Sequence, residues 1–147
     1  MATNTPVIHF HFNSPFALQR RRPLKSYLVQ LFLTEQTFLE SLSIIFCSDE
    51  QLLPLNQQYL SHDTLTDILT FRLSEPKLPL IAELYISVER VHDNASIFST
   101  SPYQELLRVI FHGCLHLCGY NDKTVRQRTA MTAKEDYYLS NYLKCST

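Results

Sequence analysis

The chain has 2 glycines in 147 residues, and both fall between Phe111 and Asp122. A backbone this poor in glycine has few left-handed turns and no glycine-rich loop to cradle a phosphate. The two glycines it keeps must answer local demands. His112 and His116 stand four residues apart, so on a helix they project from one face, about 40° apart around the axis. That spacing lets both imidazoles reach one metal ion. Gly119 falls where the helix has to stop, because glycine takes the left-handed conformation of a C-terminal cap cheaply. The turn after it can return Asp122 to the histidines. Two imidazoles and one carboxylate leave a position open for water, the donor set of a catalytic zinc and not of a structural one. The plainer alternative is a pair of helical histidines satisfied by hydrogen bonds, with a capping glycine behind them.

The spacing H-x-x-x-H-x-x-G-x-x-D resembles the metal-binding consensus of the metzincin proteases, with Asp122 in place of their third histidine. Those enzymes carry a glutamate directly after the first histidine as general base. Here that position is Gly113, which cannot accept a proton. The metal scaffold fits and the protease mechanism does not.

One domain spanning 1–147 suits the length, and a chain of this size buries roughly two-thirds of its unfolded surface. A formal net charge of -1 gives no global attraction for nucleic acid. RNA contacts would use local patches: Arg20 to Arg22 with Lys25, or Arg126, Arg128 and Lys134. No apolar run reaches the length of a membrane span, and Met1 to Pro6 lacks the apolar core of a signal peptide. Cys47, Cys114, Cys118 and Cys145 do not form a disulfide framework at this length, so a cytoplasmic location with reduced thiols is expected.

Val7 to Phe12 alternates, with Ile8, Phe10 and Phe12 on one face and His9 and His11 on the other, which predicts a half-buried strand. Pro23 opens a helix carrying Leu24, Tyr27, Leu28, Leu31 and Phe32. Leu42 to Phe46 reads as a buried strand. Ser48 offers an N-cap for a helix over Leu52, Leu55 and Tyr59, and a polar loop follows. Ile68 to Phe71 and Ile81 to Val88 read as strands whose short link makes them antiparallel. Glu89 to Phe98 reads as a short helix. Ser101-Pro102-Tyr103-Gln104 carries an N-cap, a first-turn proline and a capping-box glutamine, and starts an apolar helix that runs into the histidine pair. Cys114 and Cys118 project away from the histidines, into a core. Thr124 caps a last helix ending near Leu143. Interleaved strands and helices, followed by helices alone, predict a mixed sheet with the metal helix packed on it.

Three stretches resemble the YbeY family of metal-dependent endoribonucleases. His112-Gly113-Cys114-Leu115-His116-Leu117-Cys118-Gly119-Tyr120 is similar to its HGxLHLxGY signature. Leu55-Asn56 through Thr66-Asp67-Ile68-Leu69-Thr70-Phe71 is similar to its LN…TDVLSF segment, and Ala82 to Ser87 to its GDIxIS strand. The resemblance implies an α+β fold, Zn2+ on the signature histidines, and maturation and quality control of ribosomal RNA on the small ribosomal subunit. By position, His112 and His116 are metal ligands and Asp122 replaces the family's third histidine. The site's charge is then lower by one, so its water should be less acidic. The family's arginine after the aromatic of the LN segment is Leu60 here, and Arg72 is the candidate to supply a phosphate grip instead.

The reaction expected is metal-assisted hydrolysis of a phosphodiester in single-stranded RNA. With Gly113 unable to act as base, Glu83 is the first candidate proton acceptor, because it matches an acidic family position. Asp67 is the second. Either could be structural, Glu83 as a solvated strand residue and Asp67 as a cap. Two rival functions stay open: a metallo-hydrolase of another substrate, and a non-enzymatic ribosome-assembly factor with a structural zinc.

Overall fold

The computed structural model describes residues 5–60 and 66–145, without the side chains of 59 and 60. The polar loop expected after the helix that Ser48 caps falls on 61–65, and the side chain of Leu60 is likewise outside the described residues. The elements are β1 (Val7–Phe12), α1 (Arg21–Thr34), β2 (Leu39–Cys47), α2 (Asp49–Leu60), β3 (Ile68–Arg72), β4 (Leu80–Ser87), α3 (Val88–Ile97), α4 (Pro102–Leu117) and α5 (Val125–Cys145). The strands form one mixed sheet in the order β1-β2-β4-β3. β1, β2 and β4 run parallel, and β3 closes the edge antiparallel to β4.

Alternation along the strands sorts the two faces of the sheet. Leu42, Ile44 and Phe46 of β2 and Ala82, Leu84 and Ile86 of β4 share the larger core with Leu24, Leu28, Leu31 and Phe32 of α1. α4 supplies Leu106, Leu107, Ile110, Phe111 and Cys114 to the same core, as its apolar composition predicts. On the opposite face, Cys47 and Leu69 pack against Leu52 of α2, with Phe71 and Tyr85 beside them. Burying a leucine or phenylalanine stabilises the fold by about 1.5–3 kcal/mol, so the α4 stripe is among its strongest anchors.

Local signals set the element ends. Ser101 accepts from the Gln104 amide at 3.1 Å, the expected N-cap of α4. The Gln104 side chain does not close the capping box; its Oε1 accepts from Thr100 Oγ1 at 3.2 Å instead. The reciprocal box forms at α2, where Ser48 and Gln51 exchange backbone-to-side-chain bonds of 3.0 and 3.1 Å. Val88, expected as the last residue of a strand, opens α3, because Ser87 Oγ caps that helix by accepting from the Arg90 amide at 3.2 Å. α5 continues to Cys145, two residues past its expected end.

Candidate metal centre and its cleft

His112 and His116 lie on the last two turns of α4, and the helix ends immediately after them. Gly119 has φ 105°, a conformation that side-chain-bearing residues rarely adopt. The Gly119 amide donates to His116 O at 3.0 Å and the Tyr120 amide to Leu115 O at 3.1 Å, the paired bonds of a Schellman stop. The reversed chain carries Asp122 back over the helix. Its Oδ2 lies 3.3 Å from His112 Nε2 and 3.2 Å from His116 Nε2, and the two Nε2 atoms are 3.1 Å apart. These three residues form a group able to hold a metal ion.

The outward nitrogens explain why the inward ones converge. His112 Nδ1 donates to Glu135 Oε2 at 2.6 Å, and His116 Nδ1 donates to the Tyr120 carbonyl at 2.9 Å. Each ring is fixed in the tautomer that leaves an Nε2 lone pair facing the shared point, the usual support of a metal-ligating histidine. The donor set therefore fits a divalent cation that accepts nitrogen and oxygen. Burial works against a charge on His112, but the Glu135 hydrogen bond and the charges of Glu135, Asp122 and Asp67 outweigh it and hold its pKa above the ordinary 6.5.

Glu135 comes from α5 and is itself buried. Its other oxygen accepts from Arg108 at 3.1 Å, and Arg108 also reaches Asp136 at 2.6 Å. Neither Glu135 nor Arg108 was expected from the sequence. The available signal was periodic: Met131, Glu135, Tyr138 and Tyr142 are the buried stripe of α5, and an acid within such a stripe needs a partner.

A second carboxylate ties down the metal-bearing turn. Glu35, just past α1, accepts from Tyr120 Oη at 2.7 Å, from Lys134 Nζ at 3.2 Å and from the Tyr138 hydroxyl. Burial pushes its carboxyl up, but the bonds from Tyr138, Tyr120 and Lys134 outweigh it and leave the pKa below 4.5. A folded pKa below the unfolded value contributes stability that is present above about pH 4.5 and is lost as pH falls through the folded value. Glu35→Gln is expected to lower stability at neutral pH by about 1.5–3 kcal/mol, the range for hydrogen bonds to a charged group. Denaturant unfolding at neutral and strongly acidic pH checks this: the gap between variant and parent closes in acid, and a gap independent of pH would contradict the assignment.

Of the candidate proton acceptors, Asp67 alone reaches the metal side. It precedes β3 and lines a cleft of about 680 Å³ together with His112, Glu135, Arg108, Glu105 and Asn94. Burial raises the Asp67 pKa, and the nearby charge of His112 offsets part of that rise. Glu83 is not brought to the site. It shares a strand face with Tyr85, whose hydroxyl donates to it at 3.0 Å, while the alternate residues Ala82, Leu84 and Ile86 face α4. Arg72 is not brought there either. Its guanidinium donates to the carbonyls of Ser74, Glu75, Pro76 and Leu78 at 2.8–3.2 Å and so braces the β3–β4 turn.

Gly113 has a packing reason of its own. A Cβ there would come within 2.6 Å of Ile68 Cδ1 and 3.0 Å of Leu84 Cδ2, so the helix touches the sheet at this residue. Gly113→Glu therefore drives a carboxylate into the core and not toward the metal. We expect a loss of about 3 kcal/mol or more and no casein cleavage. Thermal unfolding and a casein assay check both; a stable, proteolytic variant would show a cleft already shaped for peptides.

Comparison with known proteins identifies a family. A family model described as Endoribonuclease YbeY matches residues 14–143. An endoribonuclease YbeY of Cytophaga hutchinsonii is 40% identical over 134 residues, covering 91% of this chain and 94% of that protein. One from Bacteroides fragilis is 40% identical over 121 residues, covering 82% of this chain and 86% of that protein. A Thermotoga maritima protein solved in solution superposes with a TM-score of 0.65 at 29% identity, covering 92% of this chain and 88% of that one.

Proposed function

The chain belongs to the endoribonuclease YbeY family, and from that premise we propose that it is a zinc-dependent endoribonuclease that hydrolyses single-stranded ribosomal RNA during maturation and quality control of the small ribosomal subunit in the cytoplasm. The observation that carries the reading is the convergence of His112, His116 and Asp122 on one point at 3.1–3.3 Å. The chemistry that a zinc ion supplies when bound there is Lewis-acidic: polarisation of a phosphoryl oxygen and a lowered pKa for water. The chain's own residues do the rest. His112 and His116 present Nε2 and Asp122 a carboxylate oxygen, while Glu135 and the Tyr120 carbonyl keep the Nδ1 protons in place. Asp67 takes the proton of the attacking water, and its raised pKa brings it closer to the working range of a general base. Arg126 and Arg128, exposed at the start of α5 just after Asp122, offer the approaching backbone a local positive surface.

The test uses purified protein, zinc, a chelator, a short single-stranded RNA and casein. RNA cut only with zinc, restored by re-addition after chelation, and casein left whole are the expected results. RNA left whole by zinc-loaded protein that still binds small-subunit RNA would replace catalysis with an assembly role. Casein cleavage would point to a different hydrolase.

A further inference from the structure

The cleft beside the metal centre holds a group that hydrolysis does not use. Glu105 is 6% exposed and lines the cleft on the same α4 face as His112. Seven residues separate the two, so they stand about 10 Å apart along the helix axis. The Glu105 carboxylate accepts no hydrogen bond from any described residue. The neighbouring cation, Arg108, gives its guanidinium to Glu135 and Asp136. Burial, with the charges of Asp67 and Glu135, pushes the Glu105 carboxyl above its ordinary 4.5. Its oxygens are not among the buried side-chain atoms left without a partner, so they meet water in the cleft, and a ligand that brings a donor takes the place of that water.

The surroundings say what kind of ligand that is. At about 680 Å³ the cleft falls within the size range of small-molecule sites, large enough for a nucleoside. Val109 and Leu139 give it apolar wall, and the Phe98 ring, 67% exposed, stands at its edge. The amides of Asn94 and Gln104 add further hydrogen-bonding groups. Asp67, Glu105 and Glu135 together repel phosphate, so the part of an RNA strand that enters is a base and not the backbone. Single-stranded RNA is commonly read in this way, by stacking a splayed base on an aromatic ring and bonding its pairing edge.

We propose that this cleft is a base-selective subsite that stacks the base next to the scissile phosphate on Phe98 and offers Glu105 to an exocyclic amino group on its pairing edge. The proposal rests on the RNA-cleaving reading above. Guanine, adenine and cytosine carry such an amino group and uracil does not, so uracil is the disfavoured base.

The experiment gives zinc-loaded full-length protein a randomised single-stranded RNA and sequences the products around each cut. Uracil is expected to be depleted about 10-fold at one position beside the cut, the scale of one base-edge pair. Glu105→Gln, which exchanges an acceptor oxygen for an amide donor, brings that depletion to within about twofold. Phe98→Ala, at an exposed position, weakens cleavage for every base alike. A parent enzyme that cuts without disfavouring uracil overturns the subsite and leaves the nuclease reading intact. So does a folded Glu105→Gln with unchanged preference. Should no RNA be cut, the nuclease reading fails, and binding of 2′-O-methyl oligo(C), oligo(A) and oligo(U) decides the subsite alone: equal affinities overturn it, and weaker oligo(U) binding upholds it.

Discussion

His116→Ala and Asp122→Ala are each expected to lose bound metal and to lower RNA cleavage about a thousandfold, with little change in folding. The size follows from several kcal/mol of Lewis-acid stabilisation at about 1.4 kcal/mol per tenfold in rate. The fold should survive because neither side chain belongs to the core, which is built from α1, α4, α5 and the sheet. Asp122 is the more telling of the two. It reaches the site only through the turn at Gly119, and both of its 3.2–3.3 Å contacts are to imidazole nitrogens. Elemental analysis beside a single-stranded RNA assay makes the check. Full metal content in both variants would remove the triad from the mechanism. Metal lost with cleavage retained would leave the triad structural and place catalysis elsewhere.

The features legible in the sequence are those written in local periodicity. His112, His116, Gly119 and Asp122 lie on one helix and its stop, so spacing alone places them together. Ser101 and Thr124 announce helix starts, and their hydroxyls accept from Gln104 and Gln127 amides as capping requires. Gly113 was legible only as a missing base; its contact with Ile68 and Leu84 depends on how α4 crosses the sheet. Glu83 shows where a positional resemblance runs out, and Arg72 where a stand-in for a missing residue does. The first sits on the wrong side of a period-two alternation, and the second is captured by carbonyls of the turn next to it. Glu135 and Glu35 were hidden for the opposite reason. They lie 23 and 85 residues from the site residues they hold, His112 and Tyr120, and only tertiary packing brings them there.

Glu135→Gln is expected to weaken metal affinity by about 10- to 100-fold, the usual cost of removing the partner that orients a ligating histidine. Two tasks meet in this one carboxylate: it accepts from His112 Nδ1 at 2.6 Å and from Arg108 at 3.1 Å. Loss of affinity could therefore come from a ring free to turn or from a helix pair less firmly braced. A second set of variants separates the two. Glu135→Leu leaves Arg108 with Asp136 alone as its carboxylate partner and should cost about 1–3 kcal/mol of stability in addition to affinity. Adding Arg108→Leu removes the half-paired cation and lets the two leucines pack between α4 and α5, while the exposed Asp136 exchanges its partner for water at little cost, so most of the stability returns. Metal affinity does not return with it, because the His112 Nδ1 proton still has no acceptor. Chelator competition for affinity and denaturant unfolding for stability read the two quantities independently. If the double variant recovers both together, Glu135 acts by bracing the helices, and orientation of His112 is not its contribution.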